Sequence, residues 1–405
     1  MFTTDALPGR ATATEPGREQ WRFETGLWGP SSPTVVDGIV FAGGDRTYAL
    51  AAGDGTERWS DGAAAVQSSP TVVDGTAYAV SGGDEVYALE ASDGSERWQF
   101  DAATGDRRPG AVWSSPTVVD DTVYFGNQSG RVYAIDASDG SERWQFGTDD
   151  QVGSSPTVVG GTVFVGTDAG AAYAIDADDG SERWRFDTGD AVFSSPTVAD
   201  GTVFVGCNDG NVYALDATDG TERWRFATDA MVVSSPTVAD GIVYAGSLDG
   251  RVYAIASDGT ERWRVETGGA VGSSPTVAGG TVFLGNRDGD VVALDATDGT
   301  ERWRFGTGGP VDSGPTVVDG TIFVGSNDGN VYALDAGVTG ASEDSRVNLG
   351  TLGHHEGWTG PQDIETDRDG GLPGAGRLGV GIAAGLASLG AAGYALRRWF
   401  ATKGE

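Results

Sequence analysis

The amino-acid sequence predicts an all-β fold, an eight-bladed β-propeller of four-stranded antiparallel blades closed by the N-terminal strand, followed by a C-terminal transmembrane helix. Three observations carry this expectation. A Ser-Ser-Pro or Ser-Gly-Pro marker recurs at Pro33, Pro70, Pro116, Pro156, Pro196, Pro236, Pro275 and Pro315, with spacings of 37, 46, 40, 40, 40, 39 and 40. A period near 40 that holds four short extended runs is the mark of propeller blades. Tryptophans at Trp21, Trp59, Trp98, Trp144, Trp184, Trp224, Trp263 and Trp303 give one per unit, but Trp21 precedes any first run and the last unit, "NVYALDAGVTGASED", ends without one.

Residues 1–18 read as a disordered N-terminal segment, and residues 19–336 as the propeller. One unit runs "SSPTVAD", "TVFVG", "NVYALDA", "TERWRF", each rich in Val, Phe, Tyr and Thr and bounded by Asp-Gly or Gly-Gly. These are signals for strands joined by tight hairpins, and no run has helical length or period. The run "EQWRFETG" around Trp21 supplies the outer strand that the last unit lacks, which seals the ring and removes an exposed sheet edge. As structure, each tryptophan wedges between neighbouring blades, where its burial contributes roughly 3 kcal/mol or more. Eight equivalent copies favour that role over ligand stacking. The Gly before each Trp strand reads as turn chemistry, relieving the cost of positive φ.

After Ala336 the pattern stops. Residues 337–377 form an acidic, Gly-rich linker, expected to act as a flexible tether. Residues 378–396, "LGVGIAAGLASLGAAGYAL", are nineteen without a charge. As a helix they span about 28 Å, close to the roughly 30 Å hydrocarbon core. Gly381 and Gly385 form a small-residue pair suited to helix packing. Arg397, Arg398 and Lys403 follow in a short basic tail, 397–405, which places that end in the cytoplasm and the propeller outside, at the cell surface. The first twenty residues hold no apolar export run, so either a leader lies upstream of Met1, or export is signalled otherwise, or the propeller stays cytosolic on a tail anchor against its charge bias; the first is the expectation. The stretch "LPGAG" before the apolar run, with Arg-Arg after it, resembles the C-terminal sorting signal of archaeal surface proteins, with Ala375 where the usual Pro-Gly-Phe has Phe.

The formal charge is −33 and the sequence pI near 4.1. Such a surface repels a phosphate backbone, so nucleic acid is excluded as a partner. Basic residues are almost all Arg; Lys403 is the only lysine. In this the chain resembles proteins of halophilic archaea. At molar salt the Debye length falls to about 3 Å and the self-repulsion is screened. Cys207 is the lone cysteine, so no internal disulfide is possible.

The segment "ALDATDGTERW", Ala214 to Trp224, resembles the tryptophan-docking repeat of the PQQ-like propeller superfamily, with Asp where Thr usually precedes the Gly. The resemblance covers about three quarters of the chain. It implies either of two kinds of relative: quinoprotein alcohol dehydrogenases, or non-enzymatic propellers such as the BamB-type lipoprotein that helps assemble outer-membrane β-barrels. The dehydrogenases typically set adjacent cysteines over the quinone, with calcium and an Asp base below. Cys207 has no neighbouring cysteine, and every Asp lies in a repeated turn or on an acidic surface. The expectation is therefore a protein with no catalytic residue, no metal and no cofactor; PQQ with calcium is the alternative.

Strand alternation gives the disc two faces. Turns between strands one and two, and three and four, share a first face and barely change: "VDG", "ADG", "SDG", "TDG". Loops between strands two and three, and from blade to blade, share a second face and do change: "GNQSG", "GTDAG", "GCNDG", "GSLDG", "GNRDG". The residue before the marker is Pro30, Gln67, Trp113, Gly153, Phe193, Val233, Gly272 or Asp312. The long spacing adds "DAATGDRRPGAVW". Either these loops drift freely, or the mouth around Trp28, Arg107, Arg108, Trp113, Phe193 and Met231 binds a protein or glycan through Arg and aromatic anchors. His354-His355 is either solvated or a metal pair, and Asn127-Gln128-Ser129 fits a glycosylation acceptor on an exposed loop.

Overall fold

The computed structural model describes residues 15–26, 31–61, 66, 68–81, 85–102, 114–339 and 341. Among the described residues thirty-two strands form eight four-stranded antiparallel sheets, blades 1 to 8 in the order of their inner strands, which begin at Thr34, Thr71, Thr117, Thr157, Thr197, Thr237, Thr276 and Thr316. The inner strand of each sheet neighbours that of the next, and the last neighbours the first. Blade 5 shows the pattern, with strands Thr197–Ala199, Thr202–Gly206, Asn211–Asp216 and Glu222–Ala227 from the axis outward. Its first hairpin turns on Asp200 and Gly201, with φ of 47° and 67°. Two consecutive positive φ values make the type I′ turn whose twist matches the strands.

Blade 8 takes three strands, Thr316–Val318, Thr321–Ser326 and Asn330–Asp335, from the end of the repeat and its outer strand, Glu19–Glu24, from the start of the chain. Trp21 stands opposite Ala333 and Phe23 opposite Val331. The ring is closed as the displaced tryptophan foretold.

The Ser-Ser-Pro-Thr marker is a set of hydrogen bonds around the axis. Each Thr hydroxyl donates to the Pro carbonyl of the next blade, from Thr34 on Pro70 to Thr316 on Pro33, eight bonds of 2.5–2.7 Å. The first Ser works within its blade: the Gly206 N–H donates to Ser194 Oγ, which donates to the Gly206 carbonyl. The second works between blades, accepting from the preceding blade's backbone N–H, as Ser235 Oγ does from Ser195. Blade 8 carries Gly314 in the second position; beside it the hydroxyl of Ser273 donates to the Ser313 carbonyl instead.

The outer belt is as regular. Each Trp Nε1 donates to a carbonyl of the next blade, 2.8–3.3 Å away, from Trp21 on Ala52 to Trp303 on Ala336. Under each indole lies the turn Gly of that blade, where a Cβ would come within 2.6–3.0 Å of the ring. For Trp184 the partner is Gly220, with φ +73°. Glycine is needed there for the ring's close approach as well as for the turn.

Gly17 lies under Trp303 in the same way, and its N–H donates to the Asp335 carbonyl. The packed chain thus begins before the strand, and it continues after the last one: Val338 packs against blades 7 and 8 at Gly279 and Gly320. Pro16 and Gly337 touch, so both ends of the ring lie together on the first face. The linker beyond residue 341, the apolar run 378–396, the basic tail and His354-His355 lie outside the described residues. Among the described residues no helix is long and apolar enough to cross a membrane.

Candidate functional site

On the second face, the loop after the second strand is organised in several blades by one side chain that reaches the neighbouring blade-to-blade connection. Asn286 Nδ2 donates to the Thr267 carbonyl at 2.9 Å, Ser247 Oγ to Ala230 at 3.2 Å, and Ser326 Oγ to Gly309 at 3.0 Å. Cys207 takes this position in blade 5, its Sγ 3.1 Å from the Asp190 carbonyl. Burial pushes its thiol up to about 12, so the group stays protonated and serves as a loop organiser. Asn127 does the same in blade 3: it is buried, and its Oδ1 accepts from the Ser129 and Arg131 N–H groups. That corrects the glycosylation expectation, because the acceptor nitrogen is enclosed in the loop rather than offered on it.

The next residue along is the one that varies: Asp168, Asn208, Leu248, Arg287 or Asn327. Its backbone N–H is fixed in each case on a connection carbonyl, Gln151, Ala191, Met231, Ala270 or Pro310. The backbone is constant and the side chain is free to differ. Together with the residues just before the marker, these positions divide the mouth. Blades 5 and 6 supply an apolar cluster of Ala191, Phe193 and Val233, with Met231 and Leu248 packed half-buried against it. Blades 7 and 8 supply an ion pair, Arg287 Nε to Asp312 Oδ1 at 2.8 Å, and Asn327 Nδ2 donates to the other Asp312 oxygen at 3.2 Å. The two charged side chains are 18 % and 7 % exposed.

A cavity of about 430 Å³ lies across the boundary between these halves, with Met231, Leu248, Ala270 and Arg287 in its wall. Of the six anchors read from the sequence, Phe193 and Met231 come together here. Phe193 is 4 % exposed, so it supports the surface from beneath instead of standing on it. Trp28, Arg107, Arg108 and Trp113 lie outside the described residues. Leu248 and the Arg287–Asp312 pair were missed. The signal for both was in the copies: each residue departs from what the other blades carry at the same position.

The recurring acids of the outer turns are engaged in structure. Asp216 accepts from Arg223 Nη2 at 2.7 Å and from the Thr218 N–H at 2.8 Å, while Arg223 Nη1 reaches Thr202 Oγ1. Arg223 first, and these hydrogen bonds with it, hold the carboxyl below the usual range.

With this geometry, the comparisons assign the family. Residues 9–151, 144–257 and 248–342 match the family described as outer membrane protein assembly factor BamB. The chain belongs to that BamB family. Among solved structures it is similar to BamB from Moraxella catarrhalis, at 20 % identity over 79 % of this chain and 99 % of that one, with a TM-score of 0.68. It is also similar to a quinohemoprotein alcohol dehydrogenase from Pseudomonas putida, at 19 % identity over 80 % of this chain and 76 % of the other, TM-score 0.65. A third likeness is to the computationally designed Ika8 protein, at 17 % identity over 79 % of this chain and 100 % of that one, TM-score 0.70. At these identities the three share the fold. No curated protein sequence matches the chain.

The dehydrogenase likeness raises PQQ with calcium. Calcium takes six to eight oxygen ligands, yet among the described residues no group of three or more His, Cys, Asp or Glu is gathered to hold a metal. Arg287, which could meet a quinone carboxylate, is tied to Asp312.

Proposed function

We propose that this BamB-family propeller is a binding or scaffolding module without catalysis, taking a protein or glycan partner at its second face. The observation that supports this is the contrast between faces: loops of constant backbone present different side chains on the second, around a cavity, while the first repeats Asp-Gly turns. An assembly role, as the family's description names for BamB, is a narrower form of the same reading. The apolar run 378–396 holds the module to a membrane, with the propeller outside and the basic tail in the cytoplasm. Its acidic surface suits concentrated salt, so the melting temperature rises from dilute buffer to molar salt; a flat response overturns that part.

Photo-crosslinkers in intact cells test the binding role, one at Leu248 on the second face and one at Thr218 on the first. Specific capture from Leu248 alone is expected; capture from Thr218 alone overturns the assignment. Protease treatment of the same cells should digest the propeller, and a protected propeller overturns the placement. The second reading, a PQQ-dependent oxidoreductase acting on alcohols or sugars, is favoured by the dehydrogenase likeness. It would require saturable PQQ and calcium binding and dye reduction by the purified protein.

A further inference from the structure

We propose that the cavity bounded by Met231, Leu248 and Arg287 takes an apolar side chain of a partner polypeptide whose flanking residues are basic. This rests on the reading of the second face as a docking surface and specifies what docks.

Size comes first. At about 430 Å³ the cavity falls in the range of true ligand sites, roughly 300–1,000 Å³. Its wall joins Met231, Leu248, Ala230 and Ala270 to one guanidinium. Met231 and Leu248 rest on the buried Phe193 and Val233, so the apolar wall is backed by packed structure. A methionine in such a wall adapts to differently shaped aliphatic guests.

Charge then selects the guest. Arg287 is neutralised through Nε by Asp312, which disfavours an anion, but its Nη groups make no hydrogen bond among the described residues. Half-buried donors of this kind suit a neutral acceptor, such as a main-chain carbonyl beside the inserted side chain. Asp209 and Asp229 also line the cavity and are exposed, as is Asp288 next to Arg287 in the chain. Of these Asp229 is paired, with Arg251 Nη1 at 2.6 Å, and Arg251 is shared with Glu266 at 3.1 Å. Acids outnumber bases on this rim, as they do over the whole chain at −33. Lysine or arginine on either side of the apolar residue complements the rim and speeds encounter.

The test uses three capped hexapeptides titrated against the full chain by calorimetry: Lys-Gly-Leu-Leu-Gly-Lys, Lys-Gly-Ser-Ser-Gly-Lys and Glu-Gly-Leu-Leu-Gly-Glu. Saturable binding of the first is expected, at least tenfold tighter than either of the others. Leu248→Ser, checked for an unchanged melting profile, should weaken the first peptide at least tenfold and leave the serine peptide where it was. If Leu248→Ser shifts the melting profile, Met231→Ser replaces it, with the same expectation. Equal binding of the serine peptide means charge attraction alone, equal binding of the glutamate peptide removes the basic flanks, and undiminished binding to the variant moves the contact elsewhere; each overturns the proposal. So does failure of the first peptide to bind while crosslinks from Leu248 persist, an outcome that leaves the docking face standing.

Discussion

The tryptophan belt and the second-face mouth are cut from the same repeat, but one has been copied and the other edited. In the belt each position must satisfy the blade beside it, so Trp184 meets Gly220 as Trp21 meets Gly55. In the mouth the backbone N–H carries the recurring bond, and the side chain above it makes contacts that differ from blade to blade, Leu248 with an apolar cluster and Arg287 with Asp312. A repeat can therefore diversify without loosening wherever the main chain, not the side chain, holds the seam.

The severest way to break the contrast is to remove residues through Thr25. Blade 8 then loses its outer strand, the Trp21 indole and the glycine beneath Trp303. Thermal unfolding should drop by about 10 °C or more; an unchanged transition would refute the closure. Next, Trp184→Ala should cost about 3–5 kcal/mol in chemical denaturation, the range for a buried aromatic. A loss below about 1 kcal/mol would mean that the belt does not hold neighbouring blades together.

A matched pair of glycines separates turn strain from ring contact. Gly241 has φ +72° with nothing within 4 Å of a Cβ, whereas Gly220 has φ +73° and a Cβ there would lie 2.7 Å from Trp184. Gly241→Ala should cost about 1 kcal/mol and Gly220→Ala about 1–3 kcal/mol more. Equal costs would show that the indole gives way.

Acid should act on the belt. Asp136, held by Ser138 and Arg143, and Asp176, held by Arg183, have carboxyls below their ordinary 3.8. Depressed folded values stabilise the protein above the ordinary pKa, and that contribution is lost as the pH falls below it. Urea midpoints should therefore be flat at neutral pH and fall below about pH 4, less steeply in Arg183→Gln. The smallest effect belongs to the mouth: Leu248→Asn, which installs the residue of Asn208 and Asn327, should change stability by about 0.5 kcal/mol or less.

Much of this architecture was legible in the chain. Proline spacing gave the blades and the misplaced Trp21 gave the closure, because both are one-dimensional consequences of a ring. The purpose of the paired serines was not legible: one hydroxyl works inside its blade and the other across to the next, and only coordinates separate Ser194 from Ser195. The turn glycines were read as φ chemistry alone, since the indole that presses on each lies in another blade. In the mouth, Met231 was legible as a departure from the repeat. Leu248 and the pair of Arg287 with Asp312, 25 positions apart, required comparing the copies residue by residue at two positions at once.

The contact of Pro16 with Gly337 has one more consequence. Because the circle is nicked at a single point on its monotonous side, a fusion or tether joined at either end leaves from the same spot. Cargo hung there cannot shade the opposite surface, so a tag at that junction should leave every edited loop accessible.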